Sequence, residues 1–126
     1  MIYPLISRPD PAELAEWSAR CGLPMTVREA AMLQSAHADA LRSTGRIEFE
    51  PGAPEALIEA FAPSPYLDGA ETLCELTSLF FHMKNITDDR IPDELLLRRM
   101  AEGFDECRGS VQLLADLLEG GLSCQD

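Results

Sequence analysis

At three points ahead of an apolar helical pattern a short oxygen-bearing side chain is followed, three places on, by glutamate: Asp10-Pro11-Ala12-Glu13, Thr26-Val27-Arg28-Glu29 and Asp68-Gly69-Ala70-Glu71. In each pattern the first side chain can accept from the backbone N–H three residues later. The glutamate can reach back to the first residue's own N–H, so donors that a helix start leaves unpaired are satisfied reciprocally. Three such starts commit the chain to helices. Pro11 strengthens the first, because proline's fixed φ suits the opening position of a helix. Gly22 and Gly45 stand where the first two helices should stop. The predicted spans are Asp10 to Cys21, Thr26 to about Thr44, and Asp68 to about Lys84.

Other punctuation completes the outline. A short helix is predicted from Pro54 to Phe61 or Ala62, with Leu57, Ile58 and Phe61 on one side. Pro63-Ser64-Pro65-Tyr66-Leu67 must be a loop, since each proline pushes its predecessor out of the helical region. A helix opening near Pro92 buries Leu96, Leu97, Met100, Phe104 and Cys107 and stops at Gly109. Ser110 caps a last helix, carrying Leu113, Leu114, Leu117 and Leu118, which Gly120-Gly121 should end. Arg46-Ile47-Glu48-Phe49-Glu50 alternates polar and apolar residues and reads as a short strand. The helix after Asp68 spreads Leu73, Leu76, Leu79, Phe80 and Met83 over one broad face, leaving Glu71, Glu75, Ser78 and His82 as a narrow polar stripe. A helix wetted on so thin a strip belongs at the centre of a bundle. The expected fold is all-α: one domain over residues 1–126, a bundle of five to six helices with one short strand.

Charge narrows the partners. Twenty-two acidic against ten basic side chains give a net charge of −12, a sign that disfavours nucleic acid and anionic membrane surfaces. No apolar run approaches the roughly 18 residues of a membrane helix, and Met-Ile-Tyr-Pro-Leu-Ile-Ser lacks the features of a secretion signal. The four cysteines, Cys21, Cys74, Cys107 and Cys124, lie too far apart in sequence for a local zinc or dithiol motif. Reduced thiols in a cytoplasmic protein are expected, with Cys124 exposed near the chain end.

The search for chemistry returns few residues. His37 shares a helical face with Ala30, Leu33, Ala40 and Leu41, so it is expected in the core with its ring nitrogens hydrogen-bonded. Glu75 and His82 are seven residues apart, roughly 10 Å along a helix, too far to share one metal ion. Asn85 to Ile91 resembles a calcium loop only superficially: Lys84, Asp89 and Leu95 occupy positions that need an oxygen ligand, a glycine and a glutamate. Asp88 and Asp89 read instead as turn residues. Lys84, Arg90, Arg98 and Arg99 form the one basic concentration, and Glu94 and Glu102 stand four residues from Arg98 on either side. Phosphate-loop, nucleophile-elbow and zinc-protease motifs are missing, so neither a cofactor nor a metal is implied.

The succession Ser43-Thr44-Gly45-Arg46-Ile47-Glu48-Phe49, Leu57-Ile58-Glu59-Ala60-Phe61, Ser64-Pro65-Tyr66 and Phe80-Phe81-His82-Met83-Lys84-Asn85 resembles a family of small bacterial proteins of unknown function. The resemblance covers roughly Thr26 to Leu118 and implies no activity, cofactor or catalytic residue. The expectation is therefore a non-catalytic cytoplasmic binding or adaptor protein acting through a protein partner. A homodimer formed through Arg46, Ile47, Glu48, Phe49 and Glu50 fits an unpaired strand, which needs partners for its backbone groups. The alternative is a small enzyme or ligand-binding protein with a pocket near His37 or near Ser64 and Tyr66.

Overall fold

Two of the three predicted reciprocal caps form as drawn in the computed structural model, which describes residues 10–45 and 52–123. Thr26 accepts from the Glu29 N–H at 3.0 Å, and Glu29 accepts from the Thr26 N–H at 2.9 Å. Glu13 likewise takes the Asp10 N–H at 3.1 Å. The third start lies one residue later than predicted. Gly69, in extended backbone, is the N-cap, and Asp68 accepts instead from the Thr72 hydroxyl at 2.7 Å.

The described residues form six helices: α1 (Pro11–Arg20), α2 (Val27–Ser43), α3 (Ala53–Phe61), α4 (Ala70–Ile86), α5 (Asp93–Glu106) and α6 (Val111–Ser123). The predicted strand from Arg46 to Glu50 lies outside the described residues, and there is no strand among the described ones. Gly22, Gly45 and Gly109 adopt φ of +92°, +67° and +83° after α1, α2 and α5. That left-handed turn is what lets a terminal glycine close a helix. Gly120 and Gly121 do not end α6, which continues to Ser123; glycine inside a helix costs only about 1 kcal/mol relative to alanine. Asp88 and Asp89, at φ of 55° and 57°, turn the chain out of α4, as their type allows.

α4 is the central element, packed most extensively against α2 and touching α3, α5 and α6. Its Leu73, Leu76, Phe81 and Met83 are fully buried, together with Leu33 of α2, Leu57, Ile58 and Phe61 of α3, Leu96, Met100 and Phe104 of α5, and Leu114 of α6. Phe61 meets Phe104 edge-on at 5.5 Å, and Phe80 meets Phe81 edge-on at 5.1 Å. Each such side chain contributes about 1.5–3 kcal/mol by leaving water. Buried hydroxyls on α4 and at its end return to the helix backbone: Thr77 donates to the Leu73 carbonyl at 2.8 Å and Thr87 to Met83 at 2.7 Å. α1 is tied on from outside, with Trp17 Nε1 donating to the Glu55 carbonyl at 3.3 Å.

Candidate functional site

The sequence of α3 sends two kinds of residue to two sides. Pro54, Leu57, Ile58 and Phe61 enter the core, while Ala53, Ala56 and Ala60 share the adjoining flank. Three alanines on that flank leave a trough where α3 passes α5. The trough has two parts, of about 340 and 380 Å³, that adjoin at Ala56 and Leu97; together they are called the groove. Phe80 and Leu97, 3% and 8% exposed, make its floor. From Ala53 to Ala60 it is about 10 Å long, two turns of helix.

α3 and α5 run in the same sense along the groove. Ala53 lies with Asp93 and Leu97 in one part, Ala60 with Leu97, Arg98 and Ala101 in the other. The starts of both helices, Gly52 and Pro92, therefore sit at one end. Lys84 stands there too, its side chain only 12% exposed and its ammonium 3.1 Å from Asp93. The same ammonium lies 5.3 and 5.4 Å from the Phe80 and Phe81 ring centres, so attraction to the aromatic faces adds to the ion pair. The rim of the second part carries Glu59, Glu94 and Arg98, with Glu94 in the first turn of α5 beside Asp93. No histidine, cysteine or serine is among the described residues lining the groove. Its lining is apolar, with Lys84, Asp93, Glu59, Glu94 and Arg98 as the charges at the edge.

A further cleft, of about 470 Å³, opens between the start of α2 and the start of α4. It gathers Glu29, Asp68, Glu71 and Glu75 around the partly exposed Met32. Among the described residues no three histidine, cysteine or carboxylate side chains are placed to hold a metal ion.

The residues singled out in the sequence fall elsewhere. His37 is 3% exposed, as its helical face predicts, and stacks on Phe81 with ring centres 5.5 Å apart. It lines none of these three cavities. Ser64 donates to Asp105 at 2.6 Å and accepts the Tyr66 N–H at 3.2 Å. Tyr66 lies hard against Gly109, so this loop clamps the turn between α5 and α6. His82 is half exposed and pairs with Glu119 at 3.3 Å, joining α4 to α6. Arg46, Ile47, Glu48, Phe49 and Glu50 lie outside the described residues, as does Cys124. Cys21, Cys74 and Cys107 are free and partly buried. The Cys74 thiol is pushed up by burial and by the neighbouring Glu71 and Glu75 carboxylates. Of the basic cluster, Lys84 is engaged by Asp93, and Arg90 donates through Nε to the Thr87 carbonyl at 2.9 Å.

The groove is not legible in the sequence. Alanine at 53, 56 and 60 is the available signal, but small residues flanking an apolar stripe become a trough only when a second helix fails to fill them.

No helix among the described residues is long and apolar enough to cross a membrane. Comparison with curated proteins and with solved structures gives no match. The model of a family of unknown function, DUF6323, matches residues 12–121. That span runs from the second residue of α1 to Gly121 in α6 and takes in the groove and the acidic cleft, and the chain belongs to this family.

Proposed function

We propose that this protein is a non-catalytic binding protein, and that the groove between α3 and α5 receives an amphipathic helix of a protein partner. The observation that carries this is the pair of adjoining hollows along α3 and α5, with alanine walls and Leu97 beneath both, spanning two helical turns in all. A helix docks in such a trough by inserting apolar side chains at positions i, i+3 or i+4, and i+7. Alanine walls let its backbone approach closely. The charge of −12 and the acidic residues on the rim favour a partner with basic residues beside its apolar face, drawn in by the field of the whole protein. Free thiols at Cys21, Cys74 and Cys107 support a cytoplasmic setting, and the likeness to small bacterial proteins supports a bacterial one.

The test is a selection from a display library of helix-forming 16-residue peptides, with titration calorimetry of those that enrich. Peptides with an apolar stripe and basic flanks should bind the wild type and lose at least about tenfold on Ala101→Trp, which fills the groove. Melting curves should show that this variant still folds; Glu59→Lys with Glu94→Lys, both on exposed positions, gives a second probe of the same rim. Selected peptides that bind both altered proteins as well as the wild type would refute the groove as the binding surface.

A further inference from the structure

The two hollows of the groove lie about one helical turn apart. The first runs along Ala53 to Ala56 of α3 and the second along Ala56 to Ala60, so their midpoints are about 5 Å apart along the helix axis. A guest helix lying along α3 brings two residues of one face, three or four positions apart, to these two places. The polar groups of the hollows differ in how they are held. Around the second, Glu59, Glu94 and Arg98 all stand at exposed positions and keep their water beside a bound guest. In the first, Lys84 is part of the wall: its side chain is 12% exposed, and its ammonium faces the Phe80 and Phe81 rings. A single carboxylate, Asp93, meets that ammonium, with oxygens at 3.1 and 3.2 Å. An ammonium carries three donors, so a side chain that seals the hollow takes away water and must supply an acceptor in its place.

Resting on the binding function above, we infer that the partner helix places a tyrosine in the first hollow and an aliphatic residue, one turn away, in the second. The tyrosine ring fills the space beside Ala53, Ala56 and Leu97, and its hydroxyl accepts from Lys84 while donating to Asp93. A neutral group that does both leaves the ion pair in balance. Phenylalanine or leucine would remove water from the ammonium and return nothing. A guest lysine or arginine would meet the charge of Lys84, and a guest carboxylate would meet Asp93 with Glu94 next to it. The second hollow makes no such demand, because its charges are exposed and Leu97 and Ala101 offer aliphatic surface to leucine, isoleucine or methionine. The partner is thus recognised by tyrosine and an aliphatic residue three or four positions apart, in either order.

Peptides enriched in the selection above should share a tyrosine three or four positions from leucine, isoleucine or methionine. In one such peptide, phenylalanine in place of the tyrosine should weaken binding to the wild type by about tenfold, the value of one hydrogen bond to a charged group. Against Lys84→Met, which keeps the length of the side chain and drops its charge, the two peptides should bind alike; melting curves check that this variant folds. The first comparison alters the peptide alone and stands whatever Lys84→Met does. NMR then places the ring: nuclear Overhauser contacts to the Ala53 and Ala56 methyls are expected, with the peptide's aliphatic methyls at Ala60 and Ala101. Enriched peptides without such a tyrosine, equal binding of the two peptides to the wild type, a preference that survives Lys84→Met, or ring contacts at Ala101 would each overturn the tyrosine seat. The groove itself would remain as long as Ala101→Trp still weakens binding. Should no selected peptide respond to Ala101→Trp, the binding function falls, and the tyrosine seat with it.

Discussion

Gly109 carries two constraints at once. Its φ of +83° lies where side chains are strained, and a Cβ built there would stand 2.8 Å from the Tyr66 Cβ and 3.1 Å from the Tyr66 carbonyl oxygen. Neither neighbour can yield easily, because Ser64 and Asp105 pin the same loop. Gly109→Ala should therefore destabilise the protein by about 2–4 kcal/mol, combining left-handed strain with overpacking. Gly120 differs in both respects: it sits within α6, and a methyl group added there would meet nothing within 4 Å. Gly120→Ala should stabilise by about 0.5–1 kcal/mol. Urea unfolding of the two variants beside the wild type checks both signs. From sequence, Gly109 is legible as a helix stop, but the backbone of Tyr66 pressed against it is not, since forty-three positions separate them. Ser64 and Tyr66, candidates for a pocket by sequence, are placed in this clamp. His37 is legible as a core residue because periodicity alone fixes its face; its stacking on Phe81 needs the packing of α2 on α4.

Element starts are legible wherever one side chain can satisfy one orphan donor, and α4 shows why that logic has limits. Asp68-Gly69-Ala70-Glu71 has the spacing of a reciprocal cap, yet the structure begins α4 a residue later and gives Asp68 to the Thr72 hydroxyl. Thr72, four places on, offers Asp68 a competing donor that the four-residue pattern leaves out. The difference is measurable. Thr26→Ala removes a formed cap and should cost about 1 kcal/mol, whereas Asp68→Ala removes one exposed hydroxyl contact and should cost at most about 0.5 kcal/mol. Equal losses, read by thermal unfolding, would mean that Asp68 caps α4 after all. The end of α6 differs from expectation for a related reason: Gly120-Gly121 permits a stop without enforcing one, and Gly120 does not take the left-handed backbone with which Gly22, Gly45 and Gly109 follow their helices.

At the scale of the molecule the dominant quantity is charge. An excess of twelve negative charges on 126 residues repels itself most strongly when the chain is folded and its charges are close together. The ion pairs that oppose this, Arg42 with Asp39 and Lys84 with Asp93, each have at least one exposed member and contribute little apiece. Salt shortens the reach of both effects, from about 10 Å at 0.1 M to about 3 Å at 1 M, and the long-range repulsion loses more than the short contacts do. Raising sodium chloride should therefore raise the melting temperature by a few degrees, on the order of 1 kcal/mol in stability. Association responds according to the partner's sign. A second copy of the chain carries the same charge, so any homodimer, including one built through Arg46 to Glu50, should tighten as salt rises. A basic helix seated in the α3–α5 groove should do the opposite, its association rate falling as the attraction is screened. Sedimentation equilibrium and peptide-binding kinetics across one salt series separate the two. A peptide on-rate that is flat or rising with salt would remove electrostatic steering from the proposed function, whatever the melting curves show.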